Sequence, residues 1–215
     1  MSTMSKPATA GGAVRSTIPA LDGTPDERLV DEALAGDRDA FGALVQRHQR
    51  GLINYIFRLV GSRDVASDLS QEVFLKVFVS LESFDSRYRF TTWLYRIASN
   101  SAIDHLRRRH PRTLSLSQPA PGDEAPAAPA ITGSDPSPDD VLRGRELESR
   151  ISQAIASLPT AYRQLILLRH RHDCRYDEIA RITRLPLGTV KNRIFRAREI
   201  LRERLADILG PEALP

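Results

Sequence analysis

The chain has 215 residues, of which 41% are hydrophobic and 27% charged. This composition is ordinary for a soluble globular protein and excludes a fully disordered chain or a fibre. The single cysteine, Cys174, excludes an intrachain disulfide and favours a reducing cytoplasm. Apolar runs are far shorter than the roughly 18 residues that a membrane span needs, and residues 1–20 lack the continuous apolar stretch of a signal peptide.

The net charge of +4 conceals two basic blocks. Residues 87–112 carry seven basic residues and one acidic residue, and residues 159–204 carry twelve basic and five acidic residues. The segments 22–86 and 113–158 are both net acidic. Two separate basic blocks favour two contacts with a polyanion, although solvated helix faces would give the same counts.

The first part of the chain, residues 25–112, is predicted to be a helical domain that follows a disordered tail over residues 1–24. Apolar residues recur at helical spacing from Leu29 through residues 41–59 and 69–77, and again ahead of Arg107. No alternation typical of a strand and no hairpin signal interrupts this pattern. The domain is therefore expected to be built from helices alone.

A flexible Pro/Ala-rich linker is predicted over residues 113–139, because six of the 14 prolines lie there and no apolar periodicity accompanies them. A second helical domain is predicted over residues 140–209. Its helices are expected at Val141–Leu158, Tyr162–His170, Tyr176–Thr183 and Leu187–Leu209, with a stop at Pro159. The predicted fold is all-α, with two small helical domains.

The sharpest motif is YDEIARITRLPLGTVKNRIFRAREIL at residues 176–201. A short helix with Ile179 and Ile182 on its buried face is ended by Pro186, and a longer helix follows. This spacing is typical of a helix-turn-helix. The longer helix should turn Val190 and other apolar residues inward and leave a polar face for phosphates and base edges. The candidate DNA-binding residues on that face are Thr189, Lys191, Asn192, Arg193, Phe195 and Arg196.

The other basic block interleaves aromatic and basic side chains, as in FTTWLYRIASNSAIDHLRRRHP. Rings that stack on bases and cations that hold the backbone are typical of single-stranded DNA binding. The spacing of Phe90, Trp93, Leu94 and Ile97 equally suits a hydrophobic core, so at least half of the aromatic residues are expected to be buried. The candidate DNA-binding residues are Tyr88, Arg89, Trp93, Arg96, Asn100, Arg107 and Arg108.

A third candidate surface is both acidic and apolar. On a helix through residues 68–79, six side chains cluster away from the buried positions Leu69, Val73 and Val77. Partly exposed Leu75 and Val79 would favour a protein-binding patch, unless another helix of the same domain covers it. The six candidate protein-binding residues are Asp68, Gln71, Glu72, Leu75, Phe78 and Val79.

Three motifs in this order give the chain a family resemblance: DLSQEVF at 68–74, FTTWLYRIASN at 90–100 and LPLGTVKNRIFRAR at 185–198. Together they resemble bacterial RNA polymerase sigma factors of the extracytoplasmic-function (ECF) group. The resemblance covers nearly everything outside the tail and the linker. It implies an alternative sigma factor that binds core RNA polymerase and initiates transcription of a stress or envelope-response regulon.

The resemblance also implies roles for the three surfaces. The first domain would be region two, in which the acidic and apolar helix binds the β′ coiled coil and in which Asn100 and the loop from Leu81 to Phe90 read and melt the minus-ten element. The second domain would be region four, which binds the β flap and reads the minus-thirty-five element through Lys191, Asn192, Phe195 and Arg196. An anti-sigma factor, often membrane-anchored in this family, is implied as a further partner.

Two alternatives stay open at the level of the sequence. One is a stand-alone helix-turn-helix regulator of transcription whose first domain senses or dimerises. The other, a metal or redox site at His170, His172 and Cys174, is disfavoured because the spacing puts His172 across the helix from the other two. No catalytic residue, metal, cofactor or small-molecule substrate is expected, since no phosphate loop or nucleophile motif is present. Arg175 is a poor N-cap, so the helix after it is expected to fray at its start.

Overall fold

The computed structural model describes residues 23–109 and 138–209, and within these ranges every regular element is helical. Eight α-helices and one short 3₁₀ turn at Leu81–Ser83 follow one another. None of these helices is long and apolar enough to cross a membrane. Most of the predicted tail, and the linker up to residue 137, lie outside the described residues. The helices are α1 Asp26–Leu34, α2 Arg38–Val60, α3 Arg63–Val79, α4 Phe90–Arg109, α5 Pro138–Ala156, α6 Thr160–His170, α7 Tyr176–Thr183 and α8 Leu187–Leu209.

The first domain consists of α1 to α4, and local sequence signals set where its helices begin and end. The Asp37 carboxylate accepts hydrogen bonds from the backbone N–H groups of Asp39 and Ala40 and so caps α2. Gly61 adopts a left-handed conformation with φ of 82° and ends α2, after which Ser62 caps α3. The chain can therefore reverse within two residues, which makes α2 and α3 neighbours.

The core of the first domain lies where α2, α3 and α4 face one another. In this domain the largest side chains that are almost entirely removed from water come from α1, α2 and α4, and α3 adds the smaller side chains of Val73 and Val77, which are also fully buried. Asp26 joins α1 to α2, because its carboxylate lies 2.7 Å from Arg47 Nη1 and 2.8 Å from His48 Nε2. Burial of this apolar surface is the main stabilising contribution of the domain. The core residues of α2 to α4 include Leu44, Leu52, Tyr55, Ile56, Leu59, Val73, Val77, Phe90 and Leu94.

The second domain contains the predicted helix-turn-helix, formed by α7 and α8. Ile179 and Ile182 of α7 pack with Val190 and Ile194 of α8 in the same core. The turn between the helices begins at Arg184, which takes a left-handed conformation with φ of 55°. A non-glycine residue in this conformation is uncommon, and it lets the chain leave α7 sharply enough for α8 to pack back on it.

The start of α7 corrects the expectation that this helix frays. The Arg175 side chain makes no capping hydrogen bond, as its chemistry predicts. Instead Glu178, three residues later, accepts a hydrogen bond from the Arg175 backbone N–H at 2.7 Å. This is the returning half of a capping box, so the helix start is stabilised by the residue at N3 rather than by the N-cap side chain.

The two domains pack against each other and share one continuous hydrophobic core. Helix α7 lies against α4, and α6 lies against the end of α2. Arg163 of α6 donates to the carbonyl oxygens of Arg58 and Leu59 at 3.5 and 3.3 Å, where α2 ends. The last carbonyls of a helix lack partners within the helix and carry partial negative charge, so a guanidinium is well placed there.

Candidate functional site

The acidic and apolar face of α3 is exposed, as its spacing predicts. Leu75, Phe78 and Val79 are 66%, 54% and 83% exposed, and Asp68, Gln71 and Glu72 are exposed beside them. Between these positions, the intervening residues Leu69, Val73 and Val77 of the same helix are buried. No element in the described part of the chain covers the patch. Three neighbouring large apolar side chains in water are the sort of surface that a protein partner buries.

The position of Phe78 is fixed by its ring contact with Phe41 of α2, whose centroid lies 5.0 Å away in an edge-to-face arrangement. Such a contact holds an exposed aromatic side chain in one orientation before a partner arrives. On the other side of α3, Lys76 Nζ lies 3.9 Å from Glu72 and donates to Ser101 Oγ of α4 at 3.0 Å. The helix that carries the patch is therefore held by contacts with α2 on one side and α4 on the other.

The aromatic residues of α4 lie in the core, and the exposed aromatic residue of this basic block comes just before the helix. Trp93 is only 6% exposed, and its ring packs on Phe84 and Phe90 at centroid distances of 5.3 and 6.1 Å. Tyr88, just before the helix, is 38% exposed. The expectation that at least half of the aromatic residues in this block are buried is therefore confirmed, and Trp93 is one of the buried ones.

The remaining candidate residues of α4 lie along a separate stripe. Asn100, Arg107 and Arg108 are exposed, and Arg96 is half-buried. Arg107 and Arg108 line an open groove between α3 and α4 together with Lys76 and Ser101. Asp104 lies 3.5 Å from Arg107 and neutralises part of this positive charge. The stripe offers hydrogen-bond donors along one side of the helix, which suits a nucleic-acid backbone.

The outward face of α8 stands free of the rest of the described chain. Lys191, Asn192 and Arg196 are exposed, and Phe195 is 63% exposed. Val190, Ile194 and Ala197 are at most 1% exposed on the opposite side. Leu201 and Leu205, which the spacing also places inward, are only half-buried. Thr189 and Arg193 are half-buried at the edges of the face. An exposed aromatic among cations and an amide has no role in the fold, which leaves intermolecular contact as its use.

Sequence patterns did not predict the contacts that α7 makes with the start of α4. Glu178 of α7 is 6% exposed and lies 3.3 Å from Thr92 Oγ1 and 3.8 Å from Arg89 Nη1. The Arg181 guanidinium lies 4.6 Å from the centre of the Tyr88 ring. Contacts between residues more than 80 positions apart leave no signal in helical spacing, so only the packed structure shows them.

A buried polar network continues this contact beneath the surface. The Tyr95 hydroxyl of α4 lies 2.7 Å from His172 Nδ1, and the Tyr55 hydroxyl of α2 lies 2.7 Å from Ser99 Oγ. Burial, with the nearby charges of Arg171 and Arg58, lowers the pKa of His172 to about 4. Burial and then Glu178 raise the pKa of the Cys174 thiol to about 12. Both side chains are therefore uncharged at neutral pH, as a buried interface requires.

His170, His172 and Cys174 have structural partners of their own. His170 Nε2 lies 3.3 Å from the Arg198 guanidinium, and the Cys174 thiol lies near the His172 carbonyl oxygen at 3.7 Å. Among the residues for which the structure gives coordinates, no three His, Cys, Asp or Glu side chains are placed to hold a metal ion. The arrangement is that of packed side chains around the end of α6.

Family comparisons match both domains. Residues 44–112 match the family described as Sigma-70 region 2, and residues 148–201 match Sigma-70, region 4. The ECF RNA polymerase sigma factor SigW of Bacillus subtilis (strain 168) is 34% identical over 182 residues, which are 85% of this chain and 97% of SigW. The similarity thus spans both domains of one relative rather than a single module.

Two solved structures have the same overall fold. One is CnrH in complex with the cytosolic domain of CnrY, with a TM-score of 0.60, 25% identity, and coverage of 85% of this chain and 97% of CnrH. The other is the sigma factor RpoE in complex with the anti-sigma factor NepR from Bartonella quintana. It has a TM-score of 0.60 and 24% identity, and it covers 77% of this chain and 96% of that one.

Proposed function

The chain belongs to the extracytoplasmic-function group of RNA polymerase sigma factors, which bind core RNA polymerase and promoter DNA to initiate transcription, and we propose that its three surfaces divide this work. The first domain, residues 25–112, would supply the polymerase contact and the minus-ten contact. The second, residues 140–209, would supply the minus-thirty-five contact, with residues 113–139 as the linker. The alternative of a stand-alone regulator is set aside, because the family match includes the first domain.

The α3 face would bind the β′ coiled coil of the polymerase. On this face three exposed apolar side chains lie beside exposed carboxylate and amide groups of the same helix. Apolar anchors that are surrounded by polar side chains are typical of the centre and rim of a protein interface. The observation that carries this assignment is the 66% exposure of Leu75 beside a fully buried Val73.

The surface of α4 and the loop before it would bind the minus-ten element. Tyr88 can stack on a base, and Arg89, Arg96, Arg107 and Arg108 can neutralise phosphates. Trp93 would act indirectly, because its ring supports Phe84 from within the core. Asn100 offers an amide that can pair with a base edge.

The outward face of α8 would enter the major groove at the minus-thirty-five element. Its exposed donors Lys191, Asn192 and Arg196 surround Phe195, which can contact a thymine methyl group or a sugar. Region four would also bind the β flap. The recognition helix of a helix-turn-helix protein uses its first turns for such contacts, and these residues lie in the first three turns of α8.

An anti-sigma factor would be the regulatory partner, and a stress or envelope-response regulon the output. CnrH, the solved relative at 25% identity, is held by the cytosolic domain of another protein. We propose the cytoplasm as the place of action, where polymerase and promoter are found, and a role without catalysis. The family consists of transcription initiation factors.

Run-off transcription with core RNA polymerase tests this assignment. The chain should direct specific initiation on genomic fragments, and sequencing of the start sites would identify the promoters. Leu75→Asp should reduce polymerase binding by at least tenfold, because it places a charge in the centre of an apolar contact. Leu147→Asp, at a leucine of α5 that is 44% exposed, is the matched control and should leave binding unchanged. Equal binding by both variants would contradict the α3 assignment.

A further inference from the structure

A partly buried carboxylate ties the start of α1 to the middle of α2. The Asp26 side chain is 16% exposed and accepts hydrogen bonds from Arg47 Nη1 at 2.7 Å and from His48 Nε2 at 2.8 Å. Because an ionised carboxylate can only accept, His48 Nε2 carries the hydrogen. Burial raises the pKa of Asp26, but the hydrogen bonds from His48 and Arg47 lower it by more, so the carboxylate stays charged at neutral pH.

The same histidine contacts an aromatic cluster at the start of α4, which consists of Phe84, Phe90 and Trp93. The His48 and Phe90 ring centroids lie 5.6 Å apart, with the ring planes inclined by 47°. Phe90 is fully buried, and its ring lies 6.0 Å from Phe84 and 6.1 Å from Trp93. All three separations are typical of packed aromatic rings. Asp26 is therefore connected to the cluster through one hydrogen bond and one ring contact.

Residues 81–90 form the minus-ten loop, which is anchored at both ends and exposed at its tip. At one end the turn Leu81–Ser83 packs against α1 and α3. At the other end the chain enters α4 through Phe90, whose ring contacts the histidine of α2. Between them the Asp85 carboxylate accepts a hydrogen bond from the backbone N–H two residues on at 3.1 Å, and Tyr88 is 38% exposed. The orientation of the tip therefore depends on its two anchors, and α1 contributes to both.

We propose that Asp26 and His48 are positioning residues for promoter recognition: together they orient the minus-ten loop, so that α1 sets how sharply the sigma factor discriminates between minus-ten sequences. This inference rests on the proposed function, since it takes the loop and the start of α4 to be the minus-ten contact. It assigns a task to α1, which precedes residue 44, where the similarity to Sigma-70 region 2 begins. Neither side chain needs to touch DNA, because both act through Phe90.

The orientation of the loop matters more for discrimination than for affinity. Contacts with phosphates tolerate small displacements because they depend mainly on charge, whereas base recognition depends on the directions of hydrogen bonds and on stacked rings. A loop that samples several orientations brings Tyr88 to correct and incorrect bases alike. It also has to be ordered when DNA binds, at a cost in conformational entropy that a preorganised loop does not incur. Release of the pair formed by Asp26 and His48 should therefore narrow the difference between promoters.

Two single variants release the pair in different ways. Asp26→Ala removes the carboxylate that accepts from His48, and His48→Gln keeps a hydrogen-bond donor but removes the ring that contacts Phe90. Each should lower minus-ten discrimination about three- to tenfold, as expected for one lost contact of a largely buried side chain. Glu27→Ala is the matched control, because it removes an exposed carboxylate from the same turn of α1 and should leave discrimination unchanged.

The double variant tests whether the two residues act through one path. Because Asp26 orients the His48 ring, removing both should cost no more discrimination than the larger of the two single losses. Losses that multiply in the double variant would show two independent effects and would overturn the positioning pair.

Discrimination is measured with the full chain and core RNA polymerase, as the ratio of run-off transcription from a mapped promoter to that from the same promoter with a scrambled minus-ten element. The corresponding ratio for a scrambled minus-thirty-five element is the internal reference, because the α8 face lies in the other domain. The pair predicts a loss in the first ratio alone. If the variants lower the yield from every promoter in equal proportion, or if Glu27→Ala loses as much discrimination as Asp26→Ala, the proposal is wrong. A wild-type chain that transcribes both minus-ten templates equally contradicts the proposed function itself, and this inference with it.

Discussion

The outward face of α8 and the start of α4 both belong to basic blocks that contain aromatic residues, yet the fold places those aromatic side chains differently. The α8 face is open, with Phe195 63% exposed. At α4 the Trp93 ring is buried in the core, and Glu178 and Arg181 of α7 contact Arg89 and Tyr88, which stay partly exposed. A basic block in the sequence therefore indicates that a segment could bind a polyanion, whereas packing determines which of its aromatic side chains remain exposed to take part.

The largest expected effect separates the core residue of the α4 region from its surface residue. Trp93→Ala should lower the free energy of unfolding by about 3–5 kcal/mol, because it empties a packed aromatic site between Phe84 and Phe90. Tyr88→Ala should change it by less than about 1 kcal/mol and still impair minus-ten recognition. Urea denaturation measures the free energy of unfolding of each variant, and promoter melting measures minus-ten recognition. Equal stability of the two variants would remove the distinction between core and surface at α4.

The next effect concerns the open face of α8. Arg196→Ala or Phe195→Ala should weaken use of a minus-thirty-five element by about 1–3 kcal/mol per lost base contact. Arg202→Ala removes the same charge from an exposed position further along α8 and is the matched control. Transcription from promoters with intact and scrambled minus-thirty-five elements measures the discrimination. If Arg196→Ala and Phe195→Ala retain full discrimination, the α8 face is not the recognition surface.

The last effect is a pH dependence at the buried contact between His172 and Tyr95. His172 has a pKa of about 4 in the folded chain, below its ordinary value of 6.5, because of burial and the charges of Arg171 and Arg58. Above pH 6.5 it is neutral in both the folded and the unfolded chain, so its full contribution is present. Between pH 6.5 and 4 the unfolded chain binds the proton first, and stability falls by about 1 kcal/mol per pH unit.

His172→Gln checks this sign, since glutamine stays neutral at every pH. The free energy of unfolding of the variant should fall less steeply than that of the wild type over this pH range, and the two slopes should agree above pH 7. Asp173, Tyr55 and Tyr95, which surround His172, are retained in both proteins. Parallel slopes below pH 6.5 would show that His172 is not held uncharged at the interface.

Local signals predicted the helices and the exposed faces well, for reasons that particular residues make plain. Pro159 and Pro186 mark helix boundaries through backbone geometry, and Leu75 and Phe195 break the inward apolar periodicity of α3 and α8. The cap of α7 does not follow from the N-cap residue, because Arg175 has no capping side chain and its backbone N–H donates to Glu178 instead. The contact between α7 and the start of α4 joins distant segments of the chain, and no short sequence pattern predicts such a contact.

Promoter binding by the chain alone and in the presence of core RNA polymerase tests the central claim most directly. The measurement is fluorescence anisotropy of a labelled promoter fragment whose start site has been mapped. We expect tight sequence-specific binding once polymerase holds the chain through the α3 face, and weak binding by the free chain, which lacks that contact. Tight specific binding by the chain alone, with no transcription when polymerase is added, would contradict it.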